Sequence, residues 1–336
     1  MVMRRRQFLA GAAGAAALSS IAPSSIAWAQ PAGTRPPAPA GLPKIVLGMS
    51  GWTGFAPLSL AERAGLFYRR GVDVEIRFVP QRERHLAMAS GALQAIATTV
   101  DTQISYAASG VALSQVLVLD KSNGGDGIAV RPAIANIAGL RGKQVGCDGP
   151  GTTPYFMLAY VLKQNNMSVR DVNLVPLEAQ PAAQAFVAGQ NDAAVTYEPY
   201  LSQIRAMGDQ AKILVTTIDY PVVVDTLSFS PEFIQRNRTQ VQAVVDGYFD
   251  ALAMIASERD RAFEIMGSVV RQSAQQFGAS AQYIQWQDRA MNQAYFARGM
   301  REFVQLAAQV QQETGVIRQV PDLAVLVNDS FVRAGS

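Results

Sequence analysis

The chain has a single cysteine, Cys147, and a single histidine, His85. One thiol cannot form an intrachain disulfide, and protein zinc sites need several Cys or His ligands. The sequence therefore excludes a disulfide scaffold and a Cys/His zinc site. It also lacks the GxGxxG dinucleotide fingerprint, the lysine-containing phosphate loop and the GxSxG elbow of serine hydrolases. We expect no cofactor, no bound metal and no enzymatic activity.

Charged residues are also scarce, at 16% of the 336 residues, whereas 49% are hydrophobic. Disordered chains are poor in apolar residues, so this composition predicts a folded protein, and the length suggests about two domains. The formal net charge is +3. The basic residues are dispersed rather than gathered in a stripe, so we expect no nucleic-acid partner.

The N-terminus has the three parts of an export signal. Three arginines at positions 4 to 6 precede an uncharged run of Ala, Gly and Leu over residues 10–22, and Ala27-Trp28-Ala29 is a small-x-small cleavage site. The run is less apolar than a membrane span, which needs about 20 strongly apolar residues. We interpret residues 1–29 as a signal peptide, and its RRQFL order resembles a twin-arginine signal.

Cleavage after Ala29 changes the meaning of the net charge. The signal holds three of the 29 basic residues and none of the 26 acidic ones, so the mature chain is formally neutral. We therefore expect a periplasmic protein without a membrane span.

From Lys44 onward, short apolar runs alternate with segments of helical periodicity, which predicts a βα architecture. Lys44 to Met49 is the first predicted strand. Apolar and charged residues alternate strictly from Val72 to Phe78, which predicts an edge strand with one wet face. A second βα series follows from Gln144 to Thr217. The residues after Ser228 are expected to be almost entirely helical.

Two segments separate these series. Residues 120–127 contain three glycines among turn-forming residues, which predicts a loop or an interdomain crossing. A second crossing near Pro221 would return the chain to the first domain. We predict a Pro-rich leader over residues 30–43, a first domain over residues 44–122 plus 223–336, and a second domain over residues 123–222.

Two loops of this pattern are candidate ligand sites. Residues 49–57 leave the first strand and open a helix, and residues 148–154 do the same in the second series. Helix amides at the carboxyl ends of strands bind ligands in open α/β sheets. Trp52 either stacks over a ligand or packs its own loop, and we favour ligand contact. A cleft between the domains would bring both loops onto one ligand.

Acidic residues lie at the ends of several predicted strands or in the crossings, namely Asp101, Asp126, Glu198 and Asp225. Each could cap a helix or pair with an arginine. Together they would favour a ligand that carries N–H or ammonium donors, with Glu198 the acid most expected to touch it. Cys147 lies on a predicted buried strand and is interpreted as a small core residue rather than a nucleophile.

These segments together resemble a known family. The runs SGWTGFAPL (50–58), DKSNGGDGI (120–128), GLRGK (139–143), GQNDAA (189–194) and YEPYL (197–201) resemble the nitrate/sulfonate/taurine substrate-binding proteins of ABC importers, including the NMT1/THI5-like group. The resemblance covers nearly the whole mature chain and implies an α/β, type II periplasmic binding protein fold. Two domains would flank a cleft, joined by two crossings, with a helical C-terminal region.

The resemblance also implies site residues. It places Trp52 over the ligand, Gly151 to Thr153 at the helix-opening loop of the second domain, and Glu198 in the acidic motif. The chain has Tyr197 where the family commonly has Trp, and its GPGTT loop is less Ser-rich, which weakens simple oxyanion recognition. The full set of candidate ligand residues is Trp52, Thr53, Thr99, Asp101, Asn123, Gly151, Thr152, Thr153, Tyr197, Glu198 and Asp225.

The expected function is capture of a small polar nutrient, such as an aminosulfonate, sulfonate or taurine-like compound, for an ABC permease in the inner membrane. A thiamine-precursor pyrimidine or other nitrogen compound is the alternative ligand. A ligand-presenting sensor module and a THI5-like enzyme are further alternatives, and the single cysteine weighs against the enzyme. We expect a monomer.

Overall fold

The computed structural model describes residues 34–111 and 113–333. The predicted signal peptide lies outside the described residues and stays a prediction. The strands, in chain order, are β1 (Lys44–Met49), β2 (Asp73–Phe78), β3 (Ala95–Thr99), β4 (Ser114–Ser122), β5 (Asp126–Val130), β6 (Gln144–Cys147), β7 (Asn173–Pro176), β8 (Ala193–Tyr197), β9 (Lys212–Thr216), β10 (Val224–Phe229) and β11 (Ile284–Trp286).

These strands form two sheets. The six-stranded sheet has the order β11-β4-β10-β3-β1-β2, and the five-stranded sheet has the order β7-β6-β8-β5-β9. Each sheet mixes parallel and antiparallel pairs, because β10 runs antiparallel to β3 and β4, and β5 runs antiparallel to β8 and β9. The predicted edge position of β2 is confirmed.

The α-helices complete the architecture on the faces of these sheets and in the C-terminal region. They are α1 (Ala56–Arg63), α2 (Leu66–Arg69), α3 (Arg84–Ala89), α4 (Val100–Ala108), α5 (Thr153–Gln164), α6 (Ala179–Val187), α7 (Tyr200–Arg205), α8 (Pro231–Arg236), α9 (Arg238–Ser257), α10 (Arg259–Val269), α11 (Ala274–Ala281), α12 (Arg289–Ala297) and α13 (Gly299–Glu313).

Each sheet has its own apolar core. Leu47 of β1, Leu58 of α1 and Val245 of α9 are fully buried in the cluster that covers the six-stranded sheet. Val145 of β6 and Leu158 of α5 are fully buried in the cluster of the five-stranded sheet. The helical periodicity of the sequence is thus explained by burial of one helix face against a sheet. Helix burial in turn fixes the loops that open α1 and α5.

The structure refines two predictions about local structure. Residues 120–127 are not all loop, because β4 continues to Ser122 and β5 begins at Asp126, which leaves a link of three residues. The region after Ser228 is almost entirely helical, as predicted, and among the described residues its exception is the short strand β11, which pairs with β4 at the edge of the six-stranded sheet. A strand of three residues is too short for its periodicity to be recognised.

Two segments connect the sheets, residues 123–125 and residues 217–223, and they lie side by side. The Oγ atom of Ser122 is 2.7 Å from Oγ1 of Thr217, and the Gly124 amide donates to the same Thr217 oxygen at 2.8 Å. The domain boundaries stay a prediction. Residues 34–43 contain no helix or strand, and Arg35 forms ion pairs with Asp73 and Glu62.

None of the helices within residues 34–111 and 113–333 combines the length and apolar content required to cross a membrane.

Candidate ligand-binding site

The two predicted helix-opening loops have the expected form. The chain leaves β1 at Met49, makes a 3-10 turn over Thr53–Phe55 and enters α1, which has a proline in its first turn. It leaves β6 at Cys147 and enters α5 at Thr153, again with a proline in the first turn. Proline suits this position because the first helical N–H groups have no partner within the helix. Both loops contribute to one cavity, which is lined by Trp52 and Phe55 of the first loop and by Thr153 at the end of the second.

A small cavity, here called the inner pocket, lies where these loops meet. Its volume is about 20 Å³, which is room for a single water or the tip of a ligand group. Both sheets contribute to its wall. The lining residues are Ser50, Trp52, Phe55, Gln81, Arg84, Thr99, Asp126, Thr153, Tyr197, Val223 and Asp225.

A larger open space, here called the outer groove, adjoins the inner pocket. Its volume is about 710 Å³, and it shares Ser50, Gln81 and Tyr197 with the inner pocket. Its other walls include the half-exposed Phe78 and, from the opposite side, Tyr200. The groove is large enough for the body of a small organic molecule, whereas the inner pocket admits only one of its groups.

Trp52 is held firmly although it lies on a loop. Its side chain is 4% exposed, and its Nε1 donates to Oδ1 of Asp120 at 3.1 Å. The indole meets Tyr197 edge to face, with ring centroids 5.6 Å apart. Gly54 and Gly125 lie against the indole so closely that a Cβ at either position would overlap it. These glycines leave the space that Trp52 occupies at the pocket wall.

Hydroxyl and amide groups join the two sheets across the inner pocket. Nε2 of Gln81 donates to Oγ1 of Thr153 at 2.8 Å, and Oγ1 of Thr99 lies 2.8 Å from the same Thr153 oxygen. Thr153 begins α5 on the five-stranded side, whereas Thr99 ends β3 on the six-stranded side. These bonds connect the two sides directly across the pocket.

Four buried carboxyl groups surround this region. Burial raises the pKa of Asp126 and of Asp101 to about 7 and that of Asp120 to about 8. The pKa of Asp225 is also raised, first by burial and then by the charge of Asp120. Asp120 and Asp225 lie opposite each other on neighbouring strands and are hydrogen-bonded through their carboxyl groups, so their titrations are linked.

Arg84 is the buried cation of the inner pocket. Its side chain is 1% exposed, with Nε donating to the Val79 carbonyl at 2.9 Å and Nη1 donating to the Ala97 carbonyl at 2.8 Å. Nη2 has no hydrogen-bond partner among the described residues. Burial lowers the pKa of this guanidinium, although arginine stays protonated in proteins.

The NMT1-like family model matches residues 38–267, which is more than half of the chain. The chain belongs to the NMT1-like family. The search of curated proteins returned no matching sequence. The predicted family resemblance is thereby confirmed for this NMT1-like protein.

Solved structures agree on the fold. The alkanesulfonate-binding protein SsuA from Xanthomonas axonopodis pv. citri, bound to MOPS, has a TM-score of 0.72 and 18% identity, covering 88% of this chain and 100% of its own. The aliphatic sulphonate binding protein SsuA from Escherichia coli has a TM-score of 0.70 and 18% identity, and the match covers 84% of this chain and 96% of that protein. The desulfurization enzyme DszB has a TM-score of 0.61 and 15% identity, and the match covers 86% of this chain and 97% of the enzyme. The predicted periplasmic binding protein fold is confirmed.

The structure brings some of the predicted residues of this NMT1-like protein together at the inner pocket and leaves others apart. Those that line the pocket are Trp52, Thr99, Thr153, Tyr197 and Asp225. Those that do not line it are Thr53, Asp101, Asn123, Gly151, Thr152 and Glu198.

Glu198, the acid most expected to touch a ligand, has protein partners instead. Its carboxylate forms an ion pair with Arg205 and accepts from the Ser202 amide at 3.1 Å. The side chain is fully buried, and burial raises its pKa. These contacts connect both Ser202 and the last residue of α7, Arg205, to the residue that follows β8, and a ligand role for Glu198 stays a prediction.

The other predicted residues outside the pocket have local roles. Oγ1 of Thr152 donates to the Gly149 carbonyl at 2.8 Å within the loop that opens α5, where Gly151 has a φ of 86°. Asn123 is exposed in the link between the sheets. Thr53 and Asp101 are buried and do not line the pocket.

Sequence reasoning missed Gln81 and Arg84 as pocket residues. Both lie in a polar run, QRERH, that looks like the solvated start of a helix. Arg84 is nevertheless buried, because the short helix α3 turns it toward the backbone carbonyls of Val79 and Ala97. The sequence offers one signal for which face of α3 turns inward, the apolar residues Leu86 and Met88 that follow. That signal is misleading, because Leu86 is 62% exposed.

No group of three or more His, Cys, Asp or Glu side chains within the described residues is arranged to hold a metal ion. Cys147 is fully buried, and burial raises the pKa of its thiol. Cys147 does not line the inner pocket or the outer groove.

Proposed function

We propose that this NMT1-like protein is the periplasmic substrate-binding component of an ABC importer. The observation that supports this best is the inner pocket, whose wall combines Trp52 and Asp225 from the six-stranded side with Thr153 and Tyr197 from the five-stranded side. A ligand held by both sides favours the closed arrangement over an open one, and closure is the signal that a permease can recognise. The export signal predicted over residues 1–29 agrees with this role.

The links between the sheets are the proposed hinge. Residues 123–125 and 217–223 are adjacent and hydrogen-bonded, so small changes of backbone angle in both would separate the two sides of the pocket. We propose that the protein works as a monomer and docks on an inner-membrane permease in its closed form.

The proposed substrate is a small polar organic nutrient of the aminosulfonate, sulfonate or taurine-like class. Two of the structural neighbours are named as sulfonate-binding proteins, which supports this class. A nitrogen compound such as a thiamine-precursor pyrimidine is the second candidate. The carboxyl groups of Asp126 and Asp225 in the pocket wall favour it, because they can accept hydrogen bonds from ring or amino N–H groups.

An enzymatic function has less support, although DszB shares the fold. The lone thiol of Cys147 is buried, its pKa is raised, and it lies outside the pocket. A nucleophilic cysteine needs access and a lowered pKa. Turnover of a bound ligand by the purified protein would overturn the non-enzymatic proposal.

A thermal-shift screen of the mature protein tests the function directly. The compounds are sulfonates, taurine, nitrate, ureas and pyrimidines, and a cognate ligand at 100 times its Kd should stabilise by about 2.7 kcal/mol. The same ligand should change the tryptophan fluorescence of the wild type and of Trp286→Phe, but not that of Trp52→Phe. Absence of any saturable stabilisation across the screen would contradict the proposal.

A receptor that presents its ligand to a membrane sensor would have the same pocket. Capture of the ligand-loaded protein by the permease, with stimulation of ATP hydrolysis in reconstituted vesicles, supports the transport role. Capture by a sensor kinase instead would replace the transporter with a signalling partner.

A further inference from the structure

Arg84 lines the inner pocket with one nitrogen left over. Its Nε and Nη1 donate to the carbonyls of Val79 and Ala97, whereas Nη2 is buried and donates to no acceptor within residues 34–111 and 113–333. The side chain is 1% exposed, so bulk water does not reach these N–H groups. A buried charged donor without an acceptor is costly, so Nη2 points to an acceptor that the ligand supplies.

The nearby acids do not neutralise this cation. Burial raises the pKa of Asp126 to about 7 and that of Asp120 to about 8, and it also raises the pKa of Asp225. At pH 6 these carboxyl groups are therefore mostly protonated, whereas Arg84 keeps its charge. A protonated carboxyl group is itself an O–H donor, and Oδ2 of Asp126 has no partner among the described residues. The pocket wall is thus positive and offers a second donor.

Three helices begin at the wall of the same pocket. Phe55 is the residue before α1, Thr99 is the residue before α4, and Thr153 is the first residue of α5, and all three line the pocket. The N-terminus of a helix carries a partial positive charge, which stabilises a negative group placed within about one turn of it. These helix ends therefore act in the same direction as the Arg84 guanidinium.

The size of the inner pocket decides which part of a ligand can enter it. Its volume of about 20 Å³ admits one oxygen-sized group, and the outer groove of about 710 Å³ adjoins it at Ser50, Gln81 and Tyr197. A carboxylate or a sulfonate presents its oxygens at the end of the molecule. One oxygen can therefore enter the pocket while the organic body stays in the groove. The apolar walls of Trp52 and Phe55 exclude water, which strengthens attraction between charges.

We infer that Arg84 is the specificity-determining residue of the site and that its Nη2 binds an acidic group of the ligand, a carboxylate or a sulfonate, in the inner pocket. The carboxyl group of Asp126 donates a second hydrogen bond to the same acidic group. This inference rests on the proposed function and gives the orientation of the substrate, with the acidic end in the pocket and the organic body in the outer groove. A compound whose only charged group is an ammonium is a poor ligand.

Four compounds that share an ethyl group test the inference, namely sodium propionate, sodium ethanesulfonate, propionamide and ethylammonium chloride. Binding to the mature protein is measured by calorimetry and by tryptophan fluorescence at pH 6 and constant ionic strength. At least one of the two anions should bind saturably, uncharged propionamide should bind about tenfold more weakly than that anion, and ethylammonium should bind more weakly still. Tighter binding of propionate supports a carboxylate substrate, and tighter binding of ethanesulfonate supports a sulfonate substrate.

Matched variants assign the effect to Arg84. Arg84→Gln should weaken the anions at least about tenfold and leave propionamide nearly unchanged, whereas a merely structural role would weaken all compounds equally. Arg82→Gln removes the same charge from an exposed residue two positions earlier and should leave every affinity unchanged. Asp126→Asn should weaken the anions about fivefold, because an amide N–H is a weaker donor than a carboxyl O–H. If Arg84→Gln does not fold, the ranking of the four compounds and the loss in Asp126→Asn decide the test.

Three results would overturn the inference. The first is ethylammonium binding more tightly than both anions. The second is a folded Arg84→Gln variant that keeps the preference of the wild type for anions over propionamide. The third is saturable binding of an uncharged compound of the thermal-shift screen when neither anion binds at tens of millimolar, which leaves the proposed function intact. Absence of saturable binding by every compound contradicts the proposed function itself, so the two failures are distinguishable.

Discussion

The inner pocket and the outer groove share three wall residues, but their acidic groups are in opposite situations. The groove acids have partners or water, since Asp148 accepts from the Gly149 amide at 2.7 Å and lies 3.5 Å from Arg82, while Glu178 is exposed. The pocket acids Asp126 and Asp225 are buried, and the Oδ2 atom of each accepts from no N–H or hydroxyl group within the described residues.

This contrast predicts which part of the proposed site is selective. A ligand gains little by approaching an acid that is already solvated or paired, because water and Arg82 compete for it. It gains much more by satisfying a buried carboxyl group. We therefore expect the pocket to decide which chemical group binds and the groove to decide only how large the remainder can be.

The largest effect is expected for Trp52→Ala, which removes the wall between pocket and core. Truncation of a buried aromatic side chain costs about 3 to 5 kcal/mol of unfolding free energy, and ligand affinity should fall more than about tenfold. Denaturant unfolding and calorimetry measure the two losses. An unchanged Kd in a folded variant would remove Trp52 from the site.

A smaller effect is expected for Gly54→Ala. The new Cβ would overlap Nε1 of Trp52 and Oδ2 of Asp120, so the indole must move and the hydrogen bond between them must break. Overpacking of this kind costs about 1 to 3 kcal/mol. The control is Gly149→Ala, where the new Cβ meets only the flexible end of Arg82. The unfolding free energy of this control variant should stay near that of the wild type. Equal losses in both variants would contradict a specific role for Gly54.

The buried acids predict an unusual pH dependence of stability without ligand. Burial raises the pKa of Asp126 from 3.8 to about 7 on folding; a hydrogen bond from Ser122 lowers it, and the charges of Asp101 and Glu198 raise it further. The folded protein therefore holds the proton more tightly, so this stabilising contribution is present below about pH 4 and is lost as the pH rises through about 7.

The variant Asp126→Asn cannot ionise at this position, so it should not lose this part of the unfolding free energy as the pH rises. Its unfolding free energy at pH 8 should exceed that of the wild type by about 1 kcal/mol, and its Tm should change less between pH 5 and pH 8. Thermal unfolding across this range measures both. A variant that is less stable at pH 8 would show that the Asp126 carboxylate is satisfied in the free protein.

The smallest effect is expected for Glu178→Gln in the groove. Glu178 is exposed, so its replacement should change ligand affinity and stability by less than about 0.5 kcal/mol. Calorimetric titration of Glu178→Gln and of Asp126→Asn with the same ligand provides the comparison. A loss as large as that of Asp126→Asn would place the selective group in the groove.

Sequence reasoning was most successful where the pattern is local. The bounds of β1, the edge position of β2 and the two helix-opening loops follow from periodicity and from prolines in the first helical turn. Trp52 was identified because a large aromatic residue on such a loop needs a partner. These features depend on residues that are close together in the chain.

The remaining features depend on contacts between distant residues. Glu198 was expected at the ligand, but its pairing with Arg205 depends on how α7 turns after β8. Arg84 was not predicted because its burial depends on carbonyl groups supplied by the ends of two other segments. The pairing of Asp120 with Asp225 requires the register of β4 and β10, which are separated by the whole five-stranded sheet.

The position of β10 has a consequence for how the chain reaches this fold. β10 lies between β3 and β4 in the middle of the six-stranded sheet, yet it is made only after all strands of the five-stranded sheet. A nascent or truncated chain that ends before Val224 leaves β3 and β4 with unpaired edges, which are sites for aggregation. We expect the five-stranded sheet to form first and the six-stranded sheet to close last, because its central pairing joins segments that are far apart in the chain.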